Sequence, residues 1–473
     1  MEKCFDKLWL ESGIIELWKS GMNPNDAKMI YKMNKNANII VHTPVGITDQ
    51  FKVTNTVKQG TIYGPRICSK EIEKINEVNV KAVTMYSPRV EIEALTYVDD
   101  MTNAGSKECS EMALRNVKAL EEEKKTTVNL IKSNYIIVNK KVVNESDELT
   151  TRLLNGAPLE RTDRYNFLGT WIDKSGKCEL NIQKRKEKCE MVLTKVLQMA
   201  SQNKVGNLST TIKIELYTVI IIPILLYNME AWGNMTEGNL KSLEQIQASF
   251  LKRLLKLPKT TPYLGMLYEI GVWRIVDVLL YKKMMLLHNI IHSDDKRIIK
   301  RIIIDQDNYS YPGCWLEVAR KEARSRQITT DLDAIKQESK PVYKKRIKET
   351  IQTTLIRHIR ENATTKLRTV LKRPFGKKEY IDSGMLDEAD IADVMKIRLH
   401  MGNMGENFRT LSGVQLCQFC CQAKETTEHV MMECEKLHYL REDLMQWINV
   451  DEATAEATKS ILMMSKRVEK IKI

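Results

Sequence analysis

The chain has 473 residues, 43% hydrophobic and 29% charged. That is an ordinary globular balance, long enough for two to four domains and unlike a disordered tract. Its 74 Lys and Arg against 61 Asp and Glu leave a net charge of +13, a field that draws polyanions. The ten cysteines lack a pairing rhythm and Met1-Glu2-Lys3-Cys4 does not open a signal peptide. The expectation is therefore an intracellular protein of the nucleus and/or cytoplasm, not secreted, and without a disulfide framework. The longest apolar run, 219–227, carries Pro223 and is far short of the roughly 20 residues that span a bilayer. It is expected to be a buried helix or turn, with no membrane as partner.

Residues 1–184 alternate short β-rich runs with helical stretches. Segments 38–42, 94–98 and 134–138 are predicted as strands and 107–124 as an amphipathic helix, a mixture that predicts an α+β domain. Gly176 and the basic stretch Lys184-Arg185-Lys186 lead into a nearly all-helical region over 185–310. There Leu240, Leu243, Ile246, Phe250, Leu251 and Leu254 recur at helical spacing. Asp, Asn, Ser, Tyr and Pro crowd 305–312 and predict a break. Charged helical segments then fill 311–379, with a second break at Arg373-Pro374-Phe375-Gly376, and a last unit spans 380–473. Residues 281–380 hold 24 Lys and Arg against 12 Asp and Glu. Such a stretch is either a solvated helical surface or a nucleic-acid track whose binding weakens with salt. Charge alone does not choose between them.

Tyr97-Val98-Asp99-Asp100 places two adjacent carboxylates among β-forming residues. Neighbouring side chains on a strand point to opposite faces, so the pair converges only where the chain turns. A tight hairpin at 98–101 would do this, and Asp favours such turns. Two like charges held together need a cation, and Mg²⁺ takes hard oxygen ligands. A pair of such ions activates an attacking 3′ hydroxyl and stabilises leaving pyrophosphate.

Near the other end, Cys417-x2-Cys420-x8-His429-x4-Cys434 has the soft ligand set and loop lengths of a tetrahedral structural zinc site. The Cys-x2-Cys turn sets two thiolates on one side of the ion. His429 and Cys434, five apart on a predicted helix, supply the other two. Cys421 and His438 are nearby spare ligands.

The ordered run of motifs resembles the reverse transcriptases of non-LTR (LINE-type) retrotransposons. Glu2-Lys3-Cys4-Phe5-Asp6-Lys7-Leu8 is similar to the tail of the first palm motif, and Val57-Lys58-Gln59-Gly60-Thr61-Ile62-Tyr63-Gly64-Pro65 to the second. Tyr97-Val98-Asp99-Asp100 corresponds to the third, Asn129-Leu130-Ile131-Lys132-Ser133 to the fourth and Tyr165-Asn166-Phe167-Leu168-Gly169 to the fifth. Residues 223–232 resemble the thumb signature of these elements, and Thr426-Thr427-Glu428-His429 with Cys434 resembles their C-terminal zinc knuckle.

The resemblance implies an RNA-directed DNA polymerase, with Mg²⁺ held by Asp99 and Asp100 and structural Zn²⁺ by Cys417, Cys420, His429 and Cys434. Lys132 would assist the leaving phosphate, and Phe5, Gln59, Gly60 and Tyr97 would line the nucleotide and template site. Phe167, Leu168 and Gly169 would grip the primer. The implied partners are an RNA template, a DNA primer or target and deoxynucleotide triphosphates; oligomeric state is not implied. The implied fold is a partial right-hand palm over 1–184 with the fingers mostly missing. A helical thumb over 185–310, a basic helical linker region over 311–379 and a C-terminal unit over 380–473 with the knuckle would follow. In the family a third metal-binding aspartate precedes the Phe of the first motif by five residues. Counting back from Phe5 passes Met1, so an N-terminally truncated and impaired polymerase is expected. The alternatives are an inactive nucleic-acid-binding remnant and a zinc-dependent regulator that keeps the palm only as scaffold.

Overall fold

The computed structural model describes residues 9–35, 37–53, 61–73, 83–84, 91–92, 95–97, 100–102, 107–124, 127–138, 153–154, 156–201, 208–233, 235–310, 312–363, 367, 371, 374–384, 386–401, 415–427 and 429–440. The chain is mixed α/β and mostly helical; among the described residues every sheet has two strands. None of the described helices is long and apolar enough to cross a membrane.

The first part begins with helices α1 (Leu10–Lys19) and α2 (Pro24–Asn34). Asn23 caps α2 by accepting the Asn25 N–H at 2.9 Å, with Pro24 in the first turn where its missing N–H costs nothing. Strands β1 (Ala37–Ile39), β2 (His42–Thr43), β3 (Gly46–Ile47) and β4 (Phe51–Val53) pair antiparallel as β1 with β4 and β2 with β3. Helix α3 (Gly64–Glu73) follows, then β5 (Val83–Thr84), β6 (Glu91–Ile92), β7 (Leu95–Tyr97), β8 (Asp100–Thr102) and helix α4 (Lys107–Lys124). Short strands β9 (Asn134–Tyr135), β10 (Leu153–Leu154), β11 (Ala157–Pro158) and β12 (Glu160–Arg161) precede the hairpin of β13 (Arg164–Phe167) and β14 (Thr170–Asp173). Among the described residues two small cores form here. Leu10, Ile14 and Leu17, spaced at i, i+4 and i+7, pack α1 onto Ala27 and Ile30 of α2 and Ile67 and Cys68 of α3. Val117 of α4, with Leu154 and Leu159, packs against Met101 of β8.

The remaining helices are α5 (Glu179–Ser201), α6 (Thr210–Leu216), α7 (Ile222–Leu225), α8 (Glu237–Leu254), α9 (Tyr263–Ile270), α10 (Ile275–Ile291), α11 (Ile298–Tyr309), α12 (Trp315–Arg324), α13 (Leu332–Gln337), α14 (Lys340–Glu361), α15 (Glu379–Asp382) and α16 (Glu388–Arg398). The chain divides into two compact units. One comprises Met1–Asn166, Ile172–Gly176 and Asp294–Cys314; the other comprises Phe167–Trp171, Lys177–Ser293 and Trp315–Ile473. In the second unit one continuous core joins Cys189 and Leu193 of α5, Leu243 and Phe250 of α8, Leu355 and Ile359 of α14 and Met395 of α16.

Two expected features are corrected. The break expected over 305–312 starts only at Ser310, where the chain leaves α11 in the left-handed region at φ 49°. Asp305 and Gln306 are buried in the helix's last turns, so tertiary packing overrides their turn preference. The run 219–227 is not wholly buried: it begins in a widened π turn, Tyr217–Ile221, that leaves Val219 68% exposed. Pro223 accounts for the widening, because its ring would clash with the carbonyl four residues back in a regular α-helix.

A buried ion pair fixes the C-terminal helices to α9. Glu269 has no exposed surface, and Arg398 of α16 binds it with both arms of its fork, at 2.8 and 3.0 Å. The Tyr380 hydroxyl donates to the same carboxylate at 2.8 Å. Burial, then the charge of Glu269, raises that phenol well above its ordinary value. Gly271, at φ 67°, ends α9 where a Cβ would meet the Lys377 amide nitrogen at 2.5 Å, so only glycine lets the chain segments approach. Removing one partner of such a pair strands the other charge. Glu269→Ala should therefore cost about 3–5 kcal/mol in urea unfolding; a loss below about 1 kcal/mol would mean that water compensates Arg398.

Candidate functional site

The carboxylate pair lies on an antiparallel hairpin with Leu95 opposite Thr102, Thr96 opposite Met101 and Tyr97 opposite Asp100. Met101 turns inward onto the α4 core, and strand alternation sends Asp100 the other way, where it is exposed. Tyr97 stands on β7 as its closing residue. Asp99, with Val98, lies outside the described residues, as do Phe5, Gln59 and Gly60. Tyr165 of β13 is half-buried, and its phenol is raised first by burial and then by the negative charge of Asp100. The first residue of the fifth motif thus sits within the field of the third. Lys132 is exposed at the end of a turn whose Asn129 side chain accepts the Lys132 N–H at 3.1 Å.

The two residues between β13 and β14 are Leu168 and Gly169, both in the left-handed region at φ 47° and 80°. A type I′ hairpin turn requires this, but its favoured first residue is Asn or Asp; a leucine there is held against its preference. Side chains from the helical unit hold it. Arg185 of α5 donates to the Gly169 carbonyl and lies over the Tyr227 ring, 4.4 Å from its centroid. The Tyr227 hydroxyl donates to the Leu168 carbonyl at 3.2 Å. Asn228 donates to the Thr170 hydroxyl at 3.0 Å, and Asn181 accepts the Trp171 N–H at 3.1 Å. Arg185 is 6% exposed and Asn181 fully buried, while Phe167 and Leu168 stay partly accessible. Sequence reading missed this tether. Arg185 stood out only as part of a basic stretch, and Tyr227-Asn228 only within the thumb signature.

The cysteine cluster assembles on a short loop hairpin. Leu416 bridges Lys424, the Cys417 N–H donates to the Ala423 carbonyl at 2.8 Å, and Cys421 takes φ 56° as the chain reverses. The ligand atoms of Cys417, Cys420, His429 and Cys434 all lie within 4.8 Å of one another. The Sγ atoms of Cys417 and Cys434 are 3.8 Å apart, and Cys420 Sγ is 3.3 Å from His429 Nε2. A tetrahedral zinc ion, with bonds of about 2.3 Å to sulfur and 2.0 Å to nitrogen, sets edges of roughly 3.5–3.8 Å. The donor set fits that ion, and Cys421 and His438 are exposed and stand outside the group.

His429 and Cys434 meet through a π turn, His429–Glu433, in which the Cys434 N–H donates to the His429 carbonyl at 2.7 Å. Residues five apart are badly aligned on an α-helix, whereas an i→i+5 turn stacks them. The Nδ1 of His429 is left 3.5 Å from the Glu433 carboxylate, a partner that orients the ring. The Gln422 N–H donates to Cys420 and draws that thiol down to about 6. Burial, then Cys417, pushes Cys434 up to about 11. A bound dication would hold every thiol deprotonated.

No protein-family model matches the chain. It is similar to the RNA-directed DNA polymerase from mobile element jockey of Drosophila funebris, with 24% identity over 263 residues. The matched part is 54% of this chain and spans 28% of the relative's length.

Two outcomes follow from these geometries. In Gly169→Ala the new Cβ would meet Arg185 Nη2 and Tyr227 Cε1 at 3.5 Å, an ordinary contact. The cost should therefore be conformational, about 1–2 kcal/mol in urea unfolding; no loss would place the turn in a right-handed conformation. In competition with a chromophoric chelator, Cys434→Ser should weaken zinc binding on the order of tenfold or more and Cys421→Ser should leave it unchanged. Equal losses would put Cys421 in the ligand set.

Proposed function

We propose that the chain is the polymerase portion of a non-LTR-type reverse transcriptase, extending a DNA primer on an RNA template. The observation that carries this reading is the similarity over 263 residues to the jockey polymerase, and the antiparallel hairpin closed by Tyr97 and Asp100 supports it. In this reading residues 1–184 form the palm, 185–310 the thumb, 311–379 a basic helical region, and 380–473 a C-terminal unit built on the zinc knuckle.

Asp99 and Asp100 would hold magnesium; the exposed carboxylate of Asp100 offers the hard oxygen donor that ion takes. When bound, magnesium supplies charge stabilisation at the attacking 3′ hydroxyl and the leaving pyrophosphate. Lys132, on an exposed turn, would donate a proton to the leaving phosphate or pair with it. Tyr97, Gln59 and Gly60 would border the template–nucleotide pair, and Phe5 would exclude a 2′ hydroxyl. Phe167, Leu168 and Gly169 would hold the primer strand. The knuckle, with its four ligands and no open position, is a structural element.

A second reading, nucleic-acid binding without polymerisation, is favoured by one feature of α14. Tyr343, Ile347, Ile351, Leu355 and Ile359 bury one stripe at four-residue spacing, and Lys340, Lys344, Lys345, Lys348, Arg357 and Arg360 are exposed. Exposed cations of this kind bind phosphates without reading sequence.

Primer extension separates the two. With a DNA primer on an RNA template, deoxynucleotides and Mg²⁺, the proposed function predicts template-directed incorporation. Asp99→Ala and Asp100→Ala should each reduce it by about a thousandfold while leaving duplex affinity within about twofold. Tight, salt-dependent binding with no incorporation would leave only the second reading.

A further inference from the structure

We infer that Arg185 and Tyr227 are positioning residues for the primer terminus: together they lock the Leu168-Gly169 turn in a conformation that its own sequence disfavours. The inference rests on the polymerase reading and adds to it two side chains, from α5 and from the turn after α7, that none of the palm motifs contains.

Four features lead there. The Leu168 backbone is left-handed at φ 47°, a conformation a leucine does not adopt by local preference. Asn228, whose side chain reaches Thr170, is itself left-handed at φ 56°. Arg185 is buried with its Nε lacking an acceptor, and the Nδ2 of buried Asn181 also lacks one. A buried donor without a partner costs stability. The tether therefore accepts strain and unmet hydrogen bonds where Asn-Gly in the turn would fold without help. Structures that keep local conflicts of this kind do so where geometry is needed for a task.

The chemistry of the tether says what is fixed. Both carbonyls of the turn, Leu168 and Gly169, are taken up by Tyr227 and Arg185. Their orientation is set by a guanidinium stacked on an aromatic ring, a planar pair that a lysine cannot reproduce. With the carbonyls turned toward the helices, the Phe167 and Leu168 side chains remain partly accessible. A strand end seated on such a turn meets a fixed apolar edge, and small displacements there are costly in reactions that require alignment.

The test uses the whole chain and two fluorescent duplexes of one sequence, a DNA primer recessed on an RNA template and the same hybrid with blunt ends. The wild-type chain should bind the recessed end more tightly by about tenfold, and Arg185→Gln should abolish that preference while blunt-duplex affinity stays within about twofold. Tyr227→Phe keeps the ring beneath Arg185 and loses only the hydroxyl, so it should retain about a third of the preference; it also serves if Arg185→Gln fails to fold. In primer extension both variants should raise the primer KM more than they lower kcat. Full retention of the preference in both variants would overturn the positioning role and leave the polymerase reading standing, as would an equal loss on both duplexes. A wild-type chain without any preference for the recessed end would overturn the polymerase reading and this inference with it.

Discussion

The Arg185 guanidinium lies between the Gly169 carbonyl and the face of Tyr227, and the shape of the Leu168-Gly169 turn depends on that contact. A two-residue hairpin turn with leucine in its first position does not hold its shape by itself. Its conformation is imposed by α5 and the turn after α7, which are in turn anchored in the large helical core through Cys189, Leu193, Leu225 and Leu226. Stability built by burying helices far from the turn thus becomes precision at two backbone carbonyls. The π turn before Pro223 belongs to the same chain of cause, because it sets where the helix ends and hence where Tyr227 and Asn228 fall.

The zinc-type cluster applies the same physics in a smaller space. Val430 and Leu437 bury only a small apolar patch beside it, and a metal bound by the four ligands would act as a cross-link in place of a larger core. The five-residue step from His429 to Cys434 would defeat an ordinary helix, and the backbone answers with an i→i+5 turn. In both sites a departure from regular helical geometry aims the functional side chain.

Much of the fold was legible where periodicity was strong. The helix Lys107–Lys124 begins and ends at the predicted residues because its apolar positions keep one face. The hairpin at Tyr97 and Asp100 follows from β-formers flanking a turn-favouring pair. Short strands were less legible: 38–42 divides between β1 and β2, and 134–138 shrinks to Asn134–Tyr135, since pairing partners set strand length more than propensity does. Of the site, the candidate soft ligands Cys417, Cys420, His429 and Cys434 could be read from their spacing, and the geometry gathers those four within 4.8 Å of one another. The tether could not be read at all. Arg185 and Tyr227 reach the turn across 16 and 59 residues, and neither the basic stretch around Arg185 nor the run around Tyr227 records that contact.

Photo-crosslinking from the primer end tests whether the Leu168-Gly169 turn holds the primer terminus. A DNA primer carrying a photoreactive base at its 3′ terminus, annealed to RNA and bound to the whole chain, should crosslink to the peptide that contains Phe167, Leu168 and Gly169. Mass spectrometry of the digest would locate the adduct. Adducts at that peptide, lost when the same base is moved to the blunt 5′ end, are the predicted result. Adducts confined to residues 281–380 would contradict a primer end seated on that turn, leaving a basic surface that binds nucleic acid without holding a primer end.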